Sequence, residues 1–135
     1  MRSFEFAHNL TLPKGGYREF LLTHNGGRSK YSNYPYTDPE SKTARLSAST
    51  VHSFYSLDQH RDLNLDYAQQ VRGEIVPMPY ILIGFDCGGN GIALKVSGDR
   101  KGSIYHLYQS EYGDDEMPRR IFVANSFEDF ARALY

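Results

Sequence analysis

The sequence has little cysteine and no long apolar run. Its single cysteine, Cys87, excludes an intramolecular disulfide and any metal site built from several cysteines. The longest apolar stretch, Tyr80 to Phe85, is far shorter than a membrane span, and the first nine residues lack the pattern of a signal peptide. A chain of 135 residues has the usual length of one domain. We therefore expect a single domain over residues 1–135, located in the cytoplasm, with no membrane attachment.

An excess of positive charge is also missing. Fifteen Lys and Arg residues face sixteen Asp and Glu residues, which gives a formal net charge of -1. The densest basic runs are the pairs Arg100-Lys101 and Arg119-Arg120, and both lie close to acidic residues. Proteins that bind nucleic acid through phosphate contacts normally carry a basic excess or stripe. The charge balance therefore argues against a nucleic-acid partner.

No pattern typical of a catalytic or cofactor site is present. The glycines between Gly84 and Gly91 lack the third glycine of a dinucleotide fingerprint, and Ile92 continues as a strand, so we expect a hairpin turn there. Cys87 in this turn would act as a nucleophile only with a base nearby. The histidines have no metal-protease spacing; they are His8, His24, His52, His60 and His106. We expect no catalytic residue, no metal and no cofactor, and thus a protein that is not an enzyme.

Three segments have helical periodicity. Apolar residues at i, i+3, i+4 and i+7 from Tyr17 predict a helix that ends at Asn25-Gly26-Gly27. A second short helix is predicted to open near Asp62 and to end before Gly73. The last begins after Ser126, a good N-cap residue.

Strand patterns fill most of the remaining chain. Residues 28–40 favour a short edge strand or an irregular loop, because they contain two prolines, and residues 44–55 favour a strand. Four further runs have β character; they are 80–85, 92–96, 103–109 and 119–125. Their connections are too short for a crossover helix, so neighbouring strands run antiparallel. These patterns predict an α+β fold, with an antiparallel sheet of about five or six strands and helices packed on one face.

Three segments, in this order, resemble the SUKH superfamily, also called the Smi–Knr family. They are the helix from Leu12 to the Asn-Gly-Gly turn, the two strands around the glycine turn at 83–94, and Ile104-Tyr105 followed by residues 123–130. The likeness spans Leu12 to Leu134. The family-motif residues, for which a structural role is expected, are Asn25, Gly26, Gly27, Gly84, Asp86, Gly88, Gly89, Asn90, Phe127 and Phe130.

The resemblance implies an α+β fold and a role in protein–protein interaction. Many bacterial members look like immunity proteins, which bind and neutralise toxins, and fungal relatives are regulators of cell-wall synthesis and signalling. The helix that precedes Leu12 in the family is expected to be shortened or missing in this chain, because the chain begins close to that motif.

Two clusters are candidates for a protein interface. Tyrosine is enriched at interfaces, although alternate tyrosines on an edge strand can equally pack on their own sheet. An acidic loop can dock a basic partner, or it can be a solvated tip. The candidate residues are Tyr31, Tyr34, Tyr36, Asp114, Asp115 and Glu116.

The combined hypothesis is an immunity protein that occludes a toxin domain by direct binding. The alternative is a SUKH-like regulatory adaptor with a different protein partner. A small-molecule-binding protein or an enzyme is a more distant alternative. The sequence predicts neither the oligomeric state nor the identity of the partner.

Overall fold

The computed structural model describes residues 2–8, 10–37, 46–57, 63–72, 76, 78–112 and 117–135. Within these residues the first half of the chain contains both helices and strands, and the second half is a run of consecutive strands followed by one helix. The elements are α1 (Arg2–Ala7), α2 (Tyr17–Thr23), β1 (Asn33–Thr37), β2 (Leu46–Phe54), α3 (Leu65–Arg72), β3 (Tyr80–Asp86), β4 (Gly91–Lys95), β5 (Ile104–Tyr112), β6 (Pro118–Ala124) and α4 (Phe127–Ala133).

The strands form one six-stranded antiparallel sheet in sequence order, from β1 at one edge to β6 at the other. The predicted α+β fold and the predicted antiparallel sheet are therefore confirmed. The short turns between β3, β4 and β5 explain the order, because hairpins place consecutive strands side by side.

The edge strand β1 is held at its outer side by the end of the chain. The N–H of Asn33 donates to the carbonyl of Tyr135, and the N–H of Tyr135 donates to the carbonyl of Asn33, each at 3.0 Å. Pro35 lies two residues further along β1. A proline is tolerated in an edge strand, because no neighbouring strand requires its missing N–H. Of the two structures predicted for residues 28–40, the edge strand is the one that β1 forms.

Helices α2 and α4 cover one face of the sheet, which we call the inner face. The ring of Phe54 in β2 packs edge-on against Phe127 and Phe130 of α4, with centroid distances of 5.7 and 6.2 Å. Phe20 of α2 completes the cluster, 5.3 Å from Phe54 and 4.9 Å from Phe127. Burial of these rings stabilises the fold because each removes a large apolar area from water.

Helix α3 lies beside β3, at an edge that β2 leaves unpaired. The amide of Gln69 donates to the Leu82 carbonyl at 2.6 Å, and the N–H of Leu82 donates to the Gln69 side-chain oxygen at 2.9 Å. One side chain thus replaces the two hydrogen bonds of a neighbouring strand. The helix begins at Leu65 rather than near Asp62, which lies outside the described residues, and the side chain of Asn64 caps it by accepting the Tyr67 N–H at 2.9 Å.

A helix precedes Leu12, so this element is not missing; it is the six-residue α1. Phe4 is buried in the core, and the carboxylate of Glu5 accepts the N–H of Leu12 at 2.8 Å. The same carboxylate pairs with Arg18 of α2 at 3.4 Å. These contacts tie α1 to the helix that follows it.

Candidate protein interface

The Asn-Gly-Gly motif joins the end of α2 to the end of β2. Asn25 has φ 51°, and its side-chain oxygen accepts the N–H of Leu57 at 2.8 Å. A Cβ on Gly26 would lie 2.5 Å from the carbonyl oxygen of Tyr55, so only glycine fits this approach. Gly27 pairs with β2 through backbone hydrogen bonds to Phe54. The centre of the motif is therefore packed closely against the end of β2, and its role is structural.

The second motif organises the β3–β4 hairpin around one buried carboxylate. Asp86 accepts hydrogen bonds from the N–H groups of Gly88 and Asn90 at 2.9 and 2.7 Å. The hydroxyl of Ser49 in β2 donates to the other carboxylate oxygen at 2.6 Å. The side-chain amide of Asn90 donates to the same oxygen as Ser49 at 3.3 Å. Because four donors converge on it, Asp86 fixes the turn and ties it to the neighbouring strand.

The remaining motif residues lie at close contacts or in the core. A Cβ on Gly84 would lie 2.7 Å from the carbonyl oxygen of Ser53, and Gly89 has φ +84° in the turn. Phe127 and Phe130 are buried in the inner-face cluster. In these positions the family-motif residues form turns and core contacts. None of them has a large exposed side chain.

The three predicted interface tyrosines do not form one surface. Tyr31 is 57% exposed, whereas Tyr34 is 1% exposed and belongs to the core. Tyr36 is partly buried, with its ring stacked on His106 at a centroid distance of 4.4 Å. The alternation of β1 directs residues 34 and 36 to the inner face, which excludes Tyr34 from an interface. The predicted acidic cluster, Asp114 to Glu116, lies outside the described residues.

Tyr34 belongs to a buried polar network on the inner face. Its hydroxyl lies 2.7 Å from Nδ1 of His106, and Ser49 lies opposite it on β2. Ser49 in turn donates to Asp86. Burial raises the pKa of Tyr34 above its usual value, and the negative charge of Asp86 raises it further, while the hydrogen bond with Ser49 opposes the shift. The hydroxyl therefore stays protonated and serves the fold.

The opposite face of the sheet carries a row of aromatic rings. Tyr80 on β3 packs edge-on against Tyr105 on β5 at 5.3 Å, and Tyr105 packs edge-on against Phe122 on β6 at 5.9 Å. The strand between the first two, β4, contributes Ala93, whose register partners are Leu82 and Tyr105. Its single methyl group leaves room for the larger rings to meet above it. Phe122 is 37% exposed.

Cations flank this aromatic row at both ends. The ammonium of Lys95 lies 6.0 Å and the guanidinium of Arg120 5.3 Å from the centre of the Tyr80 ring. At the other end the guanidinium of Arg100 lies 5.4 Å from the ring of Phe122. These distances are typical of cation–π contacts. We call this surface the outer-face patch; it comprises Tyr80, Lys95, Arg100, Tyr105, Arg120 and Phe122.

Two of these cations have no carboxylate partner in the described part of the chain. Neither Lys95 nor Arg100 forms an ion pair with any described residue, although Asp99 lies next to Arg100 in the sequence. Arg120 donates from Nε to the hydroxyl of Tyr80 at 3.2 Å, which fixes its position over the ring. The patch is therefore both aromatic and positively charged.

Sequence analysis did not identify the outer-face patch. The signal was present in the alternation of the strands, because Lys95 falls out of phase with the apolar residues of β4, as Arg120 and Phe122 do in β6. Their convergence depends on the strand register, in which Tyr105 lies opposite Phe122 and Tyr80 lies opposite Lys95. That register cannot be obtained from the spacing of the residues along the chain.

Other surface features have less specific chemistry. A groove of about 1350 Å³ lies beside α1 and includes Glu5, whose carboxylate is already bonded to Leu12 and Arg18. A groove of about 440 Å³ between α2 and α4 has Phe20 among its lining residues. Among the described residues, no group of three His, Cys, Asp or Glu side chains is placed to hold a metal ion, and Cys87 is exposed.

No helix in the described segments has the length and apolar character that a membrane crossing needs.

Comparison with known proteins gives one match. The sequence model of the SMI1 / KNR4 family (SUKH-1) matches residues 2–133, nearly the whole chain. Neither the curated proteins nor the solved structures contain a match. The family match covers every element of the sheet and the helices on it, including the outer-face patch. The chain therefore belongs to the SMI1 / KNR4 family (SUKH-1).

Proposed function

We propose that this protein is an immunity protein that neutralises a toxin by binding it directly. The observation that carries the proposal is the family match over residues 2–133, since SUKH domains are compatible with an immunity-type binding module and are generally not enzymes. The same match is compatible with a regulatory adaptor, which is the alternative.

The surface chemistry of the chain supports binding. Tyr and Arg are enriched among the residues that contribute most to protein–protein affinity, because each combines a large contact area with polar groups. The outer-face patch places Tyr80, Arg120 and Phe122 side by side on a sheet face. A sheet is a rigid support, so these side chains lose little freedom when a partner docks.

The mechanism would be occlusion. A bound immunity protein covers the toxin's active site or its substrate-binding surface, and this requires affinity and a slow dissociation rate but no catalytic group. The predicted acidic cluster, Asp114 to Glu116, remains a hypothesis for a second contact with a basic region of the toxin. Charges at the rim of an interface chiefly raise the association rate.

The experiment has two stages. First, tagged protein is used as bait in an extract of its native cells, and the captured proteins are identified by mass spectrometry. Second, the toxic domain of any captured toxin is expressed in cells with and without this protein. The matched control is the Phe130→Ala variant, which removes a buried ring and should protect less because less of it is folded.

The immunity role predicts capture of a toxin and survival of the cells that express both proteins. Capture of a protein with no toxic activity would favour the adaptor. Survival that is unchanged by the presence of this protein would contradict the immunity role.

A further inference from the structure

We infer that the outer-face patch is the docking surface for an acidic region of a protein partner, one that presents carboxylates around an exposed apolar side chain. This inference rests on the proposed function, because it assigns the surface and the partner chemistry of the same binding activity. In the patch, a partly exposed aromatic row and unneutralised charge coincide on a sheet face, and the row there has three rings, whereas Lys30 covers the single exposed ring of Tyr31.

Charge gives the first argument. Lys95 and Arg100 lie at opposite ends of the aromatic row and form no ion pair with a described residue. A partner carboxylate at either end would gain a charge-assisted hydrogen bond without displacing an existing one. The whole chain has a net charge of -1, so this local positive charge is a property of the patch and not of the protein in general.

The aromatic row gives the second argument. Tyr80, Tyr105 and Phe122 are already locked edge to face against one another, so their rings need little ordering on binding. Phe122 is exposed enough to contact an apolar side chain of a partner. An interface of this kind has an apolar centre and a charged rim, which is the usual anatomy of a protein–protein contact.

A protein partner is favoured over a nucleic acid. Stacked bases could in principle use the same rings, but phosphate-dependent binding draws on many cations along a track. The patch has three, Lys95, Arg100 and Arg120, and all three approach a ring face instead of forming a stripe along the sheet. Preferential binding of a nucleic acid to the patch would therefore overturn the inference.

The test is a titration of isotope-labelled protein with poly-L-glutamate, followed by NMR. A single-stranded oligonucleotide is titrated in parallel at the same salt concentrations. Two variants with the same change in net charge are compared with the natural protein. The patch variant is Lys95→Glu with Arg100→Glu, and the control variant is Arg28→Glu with Arg132→Glu, which changes two exposed cations away from the patch, one beside His52 and one paired with Glu128.

The inference predicts saturable shifts at Tyr80, Tyr105 and Phe122 with poly-L-glutamate. The patch variant should weaken the binding about tenfold or more, while the control variant should retain most of it. Shifts centred elsewhere, an absence of shifts, or equal weakening in both variants would overturn the inference. Tighter binding of the oligonucleotide to the same residues would also overturn it, since it would identify phosphate as the preferred ligand.

The outcome is separable from that of the proposed function. If the natural protein captures a toxin and the patch variant captures it equally well, the patch assignment is wrong and the immunity role stands. If the patch binds poly-L-glutamate but co-expression gives no protection from the toxin, the surface assignment stands and the immunity role fails. Thermal unfolding of both variants is compared with that of the natural protein, so that a loss of binding can be distinguished from a loss of folding.

Discussion

The two faces of the sheet use similar side chains in opposite ways. On the inner face, the hydroxyl of Tyr34 lies 2.7 Å from His106 and its ring packs against Phe130 at 5.2 Å. On the outer face, Tyr80 and Phe122 also contact other rings, but the cations beside them include two with no carboxylate partner in the described chain. A tyrosine therefore belongs to the core where a helix covers its strand, as for Tyr34, and to the surface where no described helix does, as for Tyr80.

The difference separates stability from binding. Inner-face residues gain their contacts within the chain, so their loss should reduce the free energy of unfolding. On the outer face Tyr105 is buried, but Tyr80 and Phe122 keep part of their surface in water. Loss of either of these two rings should therefore cost less stability and more affinity. Four comparisons follow from this separation.

The largest effect should come from truncating matched rings on the two faces. Phe130→Ala should lower the free energy of unfolding by about 3–5 kcal/mol, because it leaves a cavity beside Phe54 and Phe127. Phe122→Ala should lower it by about 1 kcal/mol or less, because that ring is partly exposed. Urea unfolding monitored by circular dichroism measures both values. Equal losses would show that the two faces do not differ as described.

Alkaline pH should act on the inner face. Burial raises the pKa of Tyr17 and of Tyr34 above the usual 10.0, so both stay protonated in the folded state where the unfolded chain ionises. Their ionisation leaves the free energy of unfolding unchanged below pH 10 and lowers it above that pH, by about 1.4 kcal/mol per pH unit for each tyrosine. The variant Tyr17→Phe with Tyr34→Phe should lose stability less steeply. Unfolding measured at several alkaline pH values checks this, and identical slopes would contradict it.

Removal of one hydroxyl should distinguish the two faces more finely. Tyr34→Phe deletes the group that contacts His106 in the core and should lower the free energy of unfolding by about 1–2 kcal/mol. Tyr80→Phe deletes a partly exposed hydroxyl that accepts from Arg120, and should change stability by about 0.5 kcal/mol or less. Urea unfolding at neutral pH gives both numbers. A larger loss in Tyr80→Phe would reverse the assignment.

One substitution on the inner face should have an effect of the opposite sign. The hydroxyl of Tyr17 is buried and has no hydrogen-bond partner within the described residues. Tyr17→Phe removes this uncompensated polar group and keeps the ring, so it should raise the free energy of unfolding by up to about 1 kcal/mol. The same substitution at Tyr34 should lower it. Destabilisation by Tyr17→Phe would show that the hydroxyl has a partner after all.

The local elements could be predicted from sequence because each depends on nearby residues. The apolar run from Tyr80 forms β3, and Ser126 caps α4 by accepting the N–H of Asp129 at 3.0 Å. The glycine turn after Asp86 forms a hairpin, as expected from its composition. Turn chemistry and capping act over a few residues, so the chain spacing contains the necessary information.

The candidate site could not be predicted in the same way because it depends on contacts between distant strands. Tyr34 and Tyr36 lie in an edge strand, and only the packing of that strand against His106 shows that one ring is fully buried. The outer-face patch depends on the register across β3 to β6 and on the small side chain of Ala93. Neither property follows from periodicity along a single strand.

The most direct test of the division between the faces is a side-by-side capture of the partner from native cells. The baits are the natural protein, the patch variant Lys95→Glu with Arg100→Glu, and the control variant Arg28→Glu with Arg132→Glu. We expect all three to unfold at similar temperatures, and we expect only the patch variant to lose the partner. Retention of the partner by the patch variant, or its loss from both variants, would contradict the assignment of binding to the outer face.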